Sequence, residues 1–390
     1  MARCGQPVLR PARDQLQPTP ALMRTLTLCL GGDVMTGRGI DQIQARPLAP
    51  QLYEEKVHDA RDYVRLAEQA HGRIPAPVSP SYIWGDALTE MDRRLPALRL
   101  VNLETAATTS MQAWPDKNVH YRMHPANMAS LSAAQINACS LANNHVLDWG
   151  RPGLTQTLHT LRQAGIHSAG AGVDAAAAQA PAVLPLGDGQ RLLMFSWATL
   201  DCGVPASWGA TPVRSGIALL PDLKEADAQR LTAHISAFRQ TGDRVLVSLH
   251  WGNNWGMDIP EAQRLFAQRL IELGAVDLVH GHSSHHPRPM EVYRGCLILY
   301  GCGDLINDYE GITHPAPFDP SLVCLYFVKL DADSGQLQQL EIVPFQLRHF
   351  QLKNTTHSQR QKLRAQLDAA CLPFNTSLRQ RRNGSYLLNW

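Results

Sequence analysis

The chain lacks any apolar run approaching the ~20 residues that a bilayer crossing requires, so no membrane span is expected. Residues 1–22 carry Arg3, Arg10 and Arg13 among several prolines but no apolar h-region. They read as a disordered extension rather than a signal peptide, and a cytoplasmic location is the expectation. Cysteine is sparse and scattered: the eight, at 4, 29, 139, 202, 296, 302, 324 and 371, form no C-x-x-C pair and no compact framework. Buried reduced thiols follow better than disulfides. Charge is low, at 18% of residues with a net +2, which by itself points neither to nucleic acid nor away from it. The short basic run Arg379–Arg382 reads as a solvated terminal helix face, so no nucleic-acid partner is expected. No glycine-rich loop of the G-x-G-x-x-G or Walker kind follows an apolar run, which sets a nucleotide-binding protein aside. There is no internal repeat. With 390 residues and 44% apolar content, one large or two ordinary domains have ample core.

What the chain has is a recurrence: six short apolar runs each end at a residue able to bind metal. Thr25–Leu30 ends at Gly31-Gly32-Asp33, Leu98–Val101 at Asn102-Leu103-Glu104, and Ile136–Ala142 at Asn143-Asn144-His145. Arg244–Leu249 ends at His250, Val276–Val279 at His280-Gly281-His282, and Leu297–Tyr300 at Gly301-Cys302-Gly303-Asp304. Such runs read as strands. Helical periodicity over Leu52–Ala70, Asp86–Leu95, Asn127–Ala134, Leu154–Ala164, Leu223–Gln240 and Pro260–Leu273 separates them. Arg191–Trp197, Leu322–Lys329 and Gln336–Val343 add strands, the last two around the Asp331–Gly335 turn. Alternating elements of this kind predict a layered α/β sandwich with a mixed sheet. Residues 23–350 form the main domain, 44–85 an insertion in it, and 351–390 a C-terminal helical tail.

In open α/β sheets ligands collect beyond the carboxyl ends of the strands. Asp33, Glu104, Asn144, His250, His282 and His285 therefore point to a shared site for one or two divalent ions, Mn, Zn or Fe by ligand type. Two ions roughly 3.5–4 Å apart, bridged by a carboxylate, activate water and clamp an oxyanion. Glu104 is the bridging candidate, because a bridge needs two oxygens from one residue. His145 suits the protonation of a leaving group, Asp148 the orientation of His145, and Asp304 the second nitrogen of a ligand histidine. Arg38 either binds an anionic substrate or closes a salt bridge. Trp251, Asn253, Asn254 and Trp255 are expected to line the pocket, and His120, Tyr121 and Arg122 are weaker substrate-contact candidates. His280 reads as a strand-end packing or supporting residue. His286 stays open between ligand and substrate contact.

Gly32-Asp33-Val34-Met35-x-Gly37-Arg38, Asn102-Leu103-Glu104, Ala142-Asn143-Asn144-His145-x-x-Asp148-x-Gly150, His250-Trp251-Gly252 and Gly281-His282-x-x-His285 together resemble the CapA capsule-synthesis family. That family is linked to poly-γ-glutamate and related to the calcineurin-like metallophosphoesterases. The resemblance covers about Thr25 to Asp308, with all five blocks in the family's order. It implies a four-layer αββα sandwich with metal ligands at Asp33, Glu104, Asn144, His250, His282 and His285, and His145 as the acid. It also implies a metal-dependent hydrolase acting through a metal-bound hydroxide on a phosphoester or an anionic polymer such as polyglutamate. A non-catalytic assembly factor that binds polyglutamate or capsule-synthase components through the same cleft is the alternative. Three positions depart from the pattern. Met35 replaces a usual ligand histidine, Glu104 a shorter aspartate, and two residues rather than one separate His282 from His285.

Overall fold

The computed structural model describes Met1 and residues 24–390; the extension expected over residues 1–22 lies outside these apart from Met1. Two mixed sheets stack face to face. In the ten-stranded sheet the order runs Ser377–Gln380, Tyr386–Asn389, Leu337–Arg348, Leu322–Asp331, Thr25–Val34, Leu98–Leu103, Ala138–Ser140, His167–Ala169. In the seven-stranded sheet Gln190–Thr199, Arg244–His250, Leu278–His282 and Cys296–Leu299 lie side by side. Period-two alternation sends Leu28 and Leu30 of the first strand inward and Cys29 outward. The inward set meets Leu100, Met194, Leu246, Leu278, Leu297 and Tyr326 in the core between the sheets. On the outer face of the larger sheet, Cys29, Val101 and Cys139 pack under Ile40, Met91, Leu131, Leu154 and Leu161 from helices. On the outer face of the smaller sheet, Val245, Val247 and Val279 pack under Leu231 and Ile235 of Glu225–Ser236 and Phe266 and Leu270 of Glu261–Glu272. Helix, sheet, sheet, helix: this is the four-layer αββα sandwich.

The two sheets bring their strand ends to one rim. Parallel register sets Asp33 beside Asn102 and Asp304, and Asn102 beside Ser140. In the facing sheet, parallel register sets His250 beside His282. The sheets touch at this rim, where Ser283 N donates to Asp33 Oδ2 at 3.2 Å. Close approach of the backbones there leaves no room for side chains. A Cβ on Gly32 would meet the Gly303 carbonyl oxygen at 1.7 Å, and one on Gly281 would meet the Leu299 and Tyr300 carbonyls at 2.5 Å.

Three stretches differ from expectation. The insertion helix spans Arg61–His71 rather than starting near Leu52, because Asp59 receives the Arg61 N–H at 2.8 Å. The preceding residues form a loop closed by Leu52 N to His58 O. The tail contains the helix His357–Cys371, started by the reciprocal Thr356–Gln359 cap. It then returns as a hairpin whose second strand pairs Ile342 with Tyr386. The Arg381–Gly384 turn, closed by Gly384 N to Arg381 O at 3.1 Å, joins the two strands, and the buried Leu378, Tyr386 and Leu388 extend the inter-sheet core. Arg379–Arg382 therefore lie on a strand and its turn, not on a helix face, and Arg381 pairs with Glu341 at 3.1 Å. Among the described residues all seven cysteines are free, and no helix is long and apolar enough to cross a membrane.

Candidate metal centre

Asp33, His250 and His282, all buried, each place a donor atom within 4.8 Å of the others. The protons around them can be traced from the hydrogen bonds. His280 Nε2 lies 2.9 Å from the Gly31 carbonyl, so it is the N–H and its Nδ1 is a lone pair. Ser248, 3.0 Å from that Nδ1, must donate to it and so accepts from His282 Nε2 at 2.8 Å. His282 Nδ1 is then also a lone pair. His250 Nε2 faces Asn144 Oδ1 at 3.1 Å and is the donor there, which leaves its Nδ1 bare as well. These two bare nitrogens stand 2.8 Å apart. Burial keeps both rings well below the ordinary imidazole pKa, hence neutral.

Carboxylates add to the demand for positive charge. Asn102 Nδ2 is shared between Asp33 Oδ1 at 2.8 Å and Glu104 Oε2 at 3.2 Å. Burial, reinforced by the Asp304 charge, pushes Asp33 up to about 7. Burial and the Asp33 charge hold Glu104 well above its usual range. Facing lone pairs beside carboxyl groups that resist ionising are what a divalent cation relieves, so the donor set fits a metal. Asp33, His250 and His282 would hold it.

Beside this centre opens a pocket of about 280 Å³, lined among others by Glu104, Lys117, Tyr121, Asn144, His145, Asn254, His285 and Tyr309. His145 Nδ1 lies 2.7 Å from Asp148 Oδ2, and its Nε2 lies 3.7 Å from Glu104 Oε1. Tyr121 meets the His145 ring edge-on at 4.4 Å. Burial, then the Lys117 charge, holds His145 well below the usual imidazole range. His285 differs: burial opposes its cation, but Asp304, 2.9 Å from Nδ1, raises its pKa overall. Asn143 accepts from the backbone N–H groups of His145 and Val146 and so shapes the turn that presents His145.

Not every expected residue reaches this rim. Arg38 is sealed, its side chain 4% exposed, by Asp308 at 2.5 Å and Glu54 at 3.0 Å. Of its two readings the structure shows the salt bridge. Trp251 is a core residue: its indole N–H donates to the Tyr300 carbonyl and its ring packs in the outer core of the smaller sheet, away from the pocket. His286 has both nitrogens engaged with backbone, Gly256 N and Pro287 O, and stacks on Phe318. Asn253 is exposed, and its carbonyl accepts from Arg288. His120 is turned to the Trp114 carbonyl, and Arg122 to the Trp149 ring. Met35 is fully buried, with its sulfur 3.7 Å from the Tyr309 hydroxyl. Two contributors carry no motif, Ser248 and Lys117. The only sequence signal for Ser248 is a lone polar residue inside the Arg244–Leu249 run.

The family model described as bacterial capsule synthesis protein PGA_cap matches residues 27–309. A Mycobacterium tuberculosis protein named as a probable polyglutamine synthesis accessory protein is 45% identical over 340 residues, 87% of this chain and 89% of its own. The PGA biosynthesis protein CapA of Bacillus subtilis is 24% identical over 317 residues, 80% of this chain and 70% of its own. The capsule biosynthesis protein CapA of Bacillus anthracis is 22% identical over 283 residues, 73% of this chain and 60% of its own. A match from Thr27 to Tyr309 takes in every strand end that feeds the rim, from Asp33 to Asp304, and the chain therefore belongs to the PGA_cap family of bacterial capsule synthesis proteins.

Proposed function

We propose that this chain is a metal-dependent hydrolase of capsule or polyglutamate synthesis, acting on an anionic substrate, a phosphoester or a polyglutamate chain. The observation that carries the reading is the pair of bare imidazole nitrogens 2.8 Å apart beside Asp33. A divalent cation at such a set supplies Lewis acidity toward an ester or amide oxygen. Glu104, Asn144 and His285 stand around the pocket next to it. Met35 offers no imidazole, and a single tight trio of donors forms among the described residues, which supports one ion rather than two.

The neutral His145 takes up a proton at Nε2 from the attacking water and delivers it to the leaving group. Asp148 at Nδ1 holds the ring in the tautomer this requires and stabilises the imidazolium while it lasts. Capsule-synthase components are the expected partners, on the strength of the family.

The test is metal analysis after loading with Mn²⁺, Zn²⁺ or Fe²⁺, with hydrolysis of aryl phosphates and γ-glutamyl oligomers assayed in parallel. On the order of one equivalent should bind, and His282→Ala should reduce it below about half. His145→Ala should retain the metal and lose about 10²–10⁴-fold in turnover. Wild-type protein that holds metal and polyglutamate but turns over neither substrate class would make it the assembly factor instead.

A further inference from the structure

The pocket is lined by a cation that no motif marks. Lys117 Nζ pairs with Asp148 Oδ1 and donates to the Val119 carbonyl at 3.1 Å. Its third neighbour is His145 Nδ1, at 3.0 Å. That nitrogen is not free to accept. Asp148 Oδ2 lies 2.7 Å from it, and a carboxylate at that distance takes the ring's N–H. Asp148 Oδ2 also receives the Tyr121 backbone N–H at 2.6 Å, which fixes the carboxylate in place. An ammonium has three N–H groups. Two are used, and the third has no hydrogen-bond acceptor among the described residues, only the face of the Trp208 ring with its centroid 5.5 Å away.

Lys117 lines the pocket together with Glu104, Asn144 and His145, and its side chain is 15% exposed. Of the other cations nearby, Arg38 is closed off by two carboxylates and by the rings of Tyr63 and Tyr121, and His285, which shares the pocket, already has the Asp304 carboxylate against its Nδ1 at 2.9 Å. A substrate anion entering the pocket therefore meets Lys117. Resting on the hydrolase reading above, we propose that Lys117 is the substrate-binding residue, its unused N–H receiving the phosphate or carboxylate group of the ligand. Asp148 then serves two neighbours at once, the binding ammonium through Oδ1 and the proton-carrying His145 through Oδ2. Recognition of the anion and orientation of the imidazole share one carboxylate.

Titration of the Mn²⁺-loaded protein with inorganic phosphate, followed by calorimetry, tests this, with Mn²⁺ binding measured separately on each variant. Lys117→Met should weaken phosphate about tenfold or more, the size of a lost charge-assisted hydrogen bond, and leave Mn²⁺ affinity unchanged. Because Lys117→Met strands Asp148 in a buried place, Lys117→Met/Asp148→Asn, which removes both charges, is the second variant and should bind phosphate as weakly. Phosphate affinity equal to wild type in either folded variant overturns the assignment, whatever the metal does. So does a wild-type protein that binds Mn²⁺ but no phosphate. A protein that binds phosphate through Lys117 but no metal keeps this assignment and removes the metal-dependent reading instead.

Discussion

At the scale of single residues, the bare nitrogen on His282 depends on a hydroxyl that itself binds nothing outside the protein. Ser248 passes the tautomer of His280 on to His282, so removing it frees His282 to place its proton on Nδ1, facing His250. Ser248→Ala should therefore weaken Mn²⁺ binding about 10–100-fold, as loss of a supporting partner does, while lowering stability by only about 1 kcal/mol. Calorimetric titration beside a thermal melt separates the two; unchanged Mn²⁺ affinity would refute the relay. Asp33 makes a pH prediction. Its folded pKa, raised to about 7 from 3.8, means the folded protein holds that proton longer than the unfolded chain. Its contribution to stability is full below about pH 4 and lost as the pH climbs to about 7. His250 and His282 act with the opposite sign: their lowered pKa values favour folding more as pH rises through the ordinary histidine range. Being neutral, they do not compete with a cation, whereas the Asp33 proton does. The gain in Tm on adding Mn²⁺ should therefore grow between about pH 5 and 8. A gain that is flat or falling across that range would contradict the placement of Asp33 in the centre. The candidate ligands were legible from sequence because each follows an apolar run. Ser248 and Lys117 were not, since one is a polar break in a strand and the other sits in a loop, and only the folded register gives either a partner.

At the scale of elements, glycine sets how closely the strands meet at the rim. Gly32 and Gly303 lie where the first strand runs parallel to Asp304–Ile306, and the obstacle to a Cβ on Gly32 is backbone. Gly32→Ala must pry these strands apart at the residue before Asp33. It should cost about 3 kcal/mol or more and abolish Mn²⁺ binding even where the protein still folds. Gly165→Ala is the control, with open space around the new Cβ and only a φ of +71° to oppose it; it should cost about 1 kcal/mol. Chemical denaturation of both variants decides, and equal losses would remove the packing argument. Strands and helices with strong periodicity were readable in advance. The loop before Arg61 and the hairpin after Asn375 were not. The local Asp59 turn onto the Arg61 N–H precedes the helix start, and the hairpin strands are four residues each and gain their stability from a sheet edge some forty positions earlier.

At the scale of the whole molecule, one buried guanidinium ties the Glu54–Tyr63 stretch to the segment that follows the Asp304–Ile306 strand. Arg38 reaches Glu54 and Tyr63 in the insertion and Asp308 after the Asp304–Ile306 strand. The Tyr121 ring lies 4.5 Å from its guanidinium carbon, and Tyr121 in turn bonds Tyr309 and meets His145. The inter-sheet core does not order these pieces: residues 44–85 contribute nothing to it, and their buried Ala67, Ile74, Val78, Ile83 and Trp84 pack in the outer core of the larger sheet instead. Arg38→Met leaves Glu54 and Asp308 buried without their cation, and breaking such a pair costs about 3–5 kcal/mol. Arg38→Lys should recover only part of this, because an ammonium cannot fork between two carboxylates and stack on tyrosine as a guanidinium does. The same burial argues that neither change touches the anion directly. Stability measured by denaturant should fall in both variants, while phosphate binding by the folded fraction stays near wild type. An Arg38→Met protein of wild-type stability that has lost phosphate would return Arg38 to the pocket and displace Lys117 from the role assigned to it.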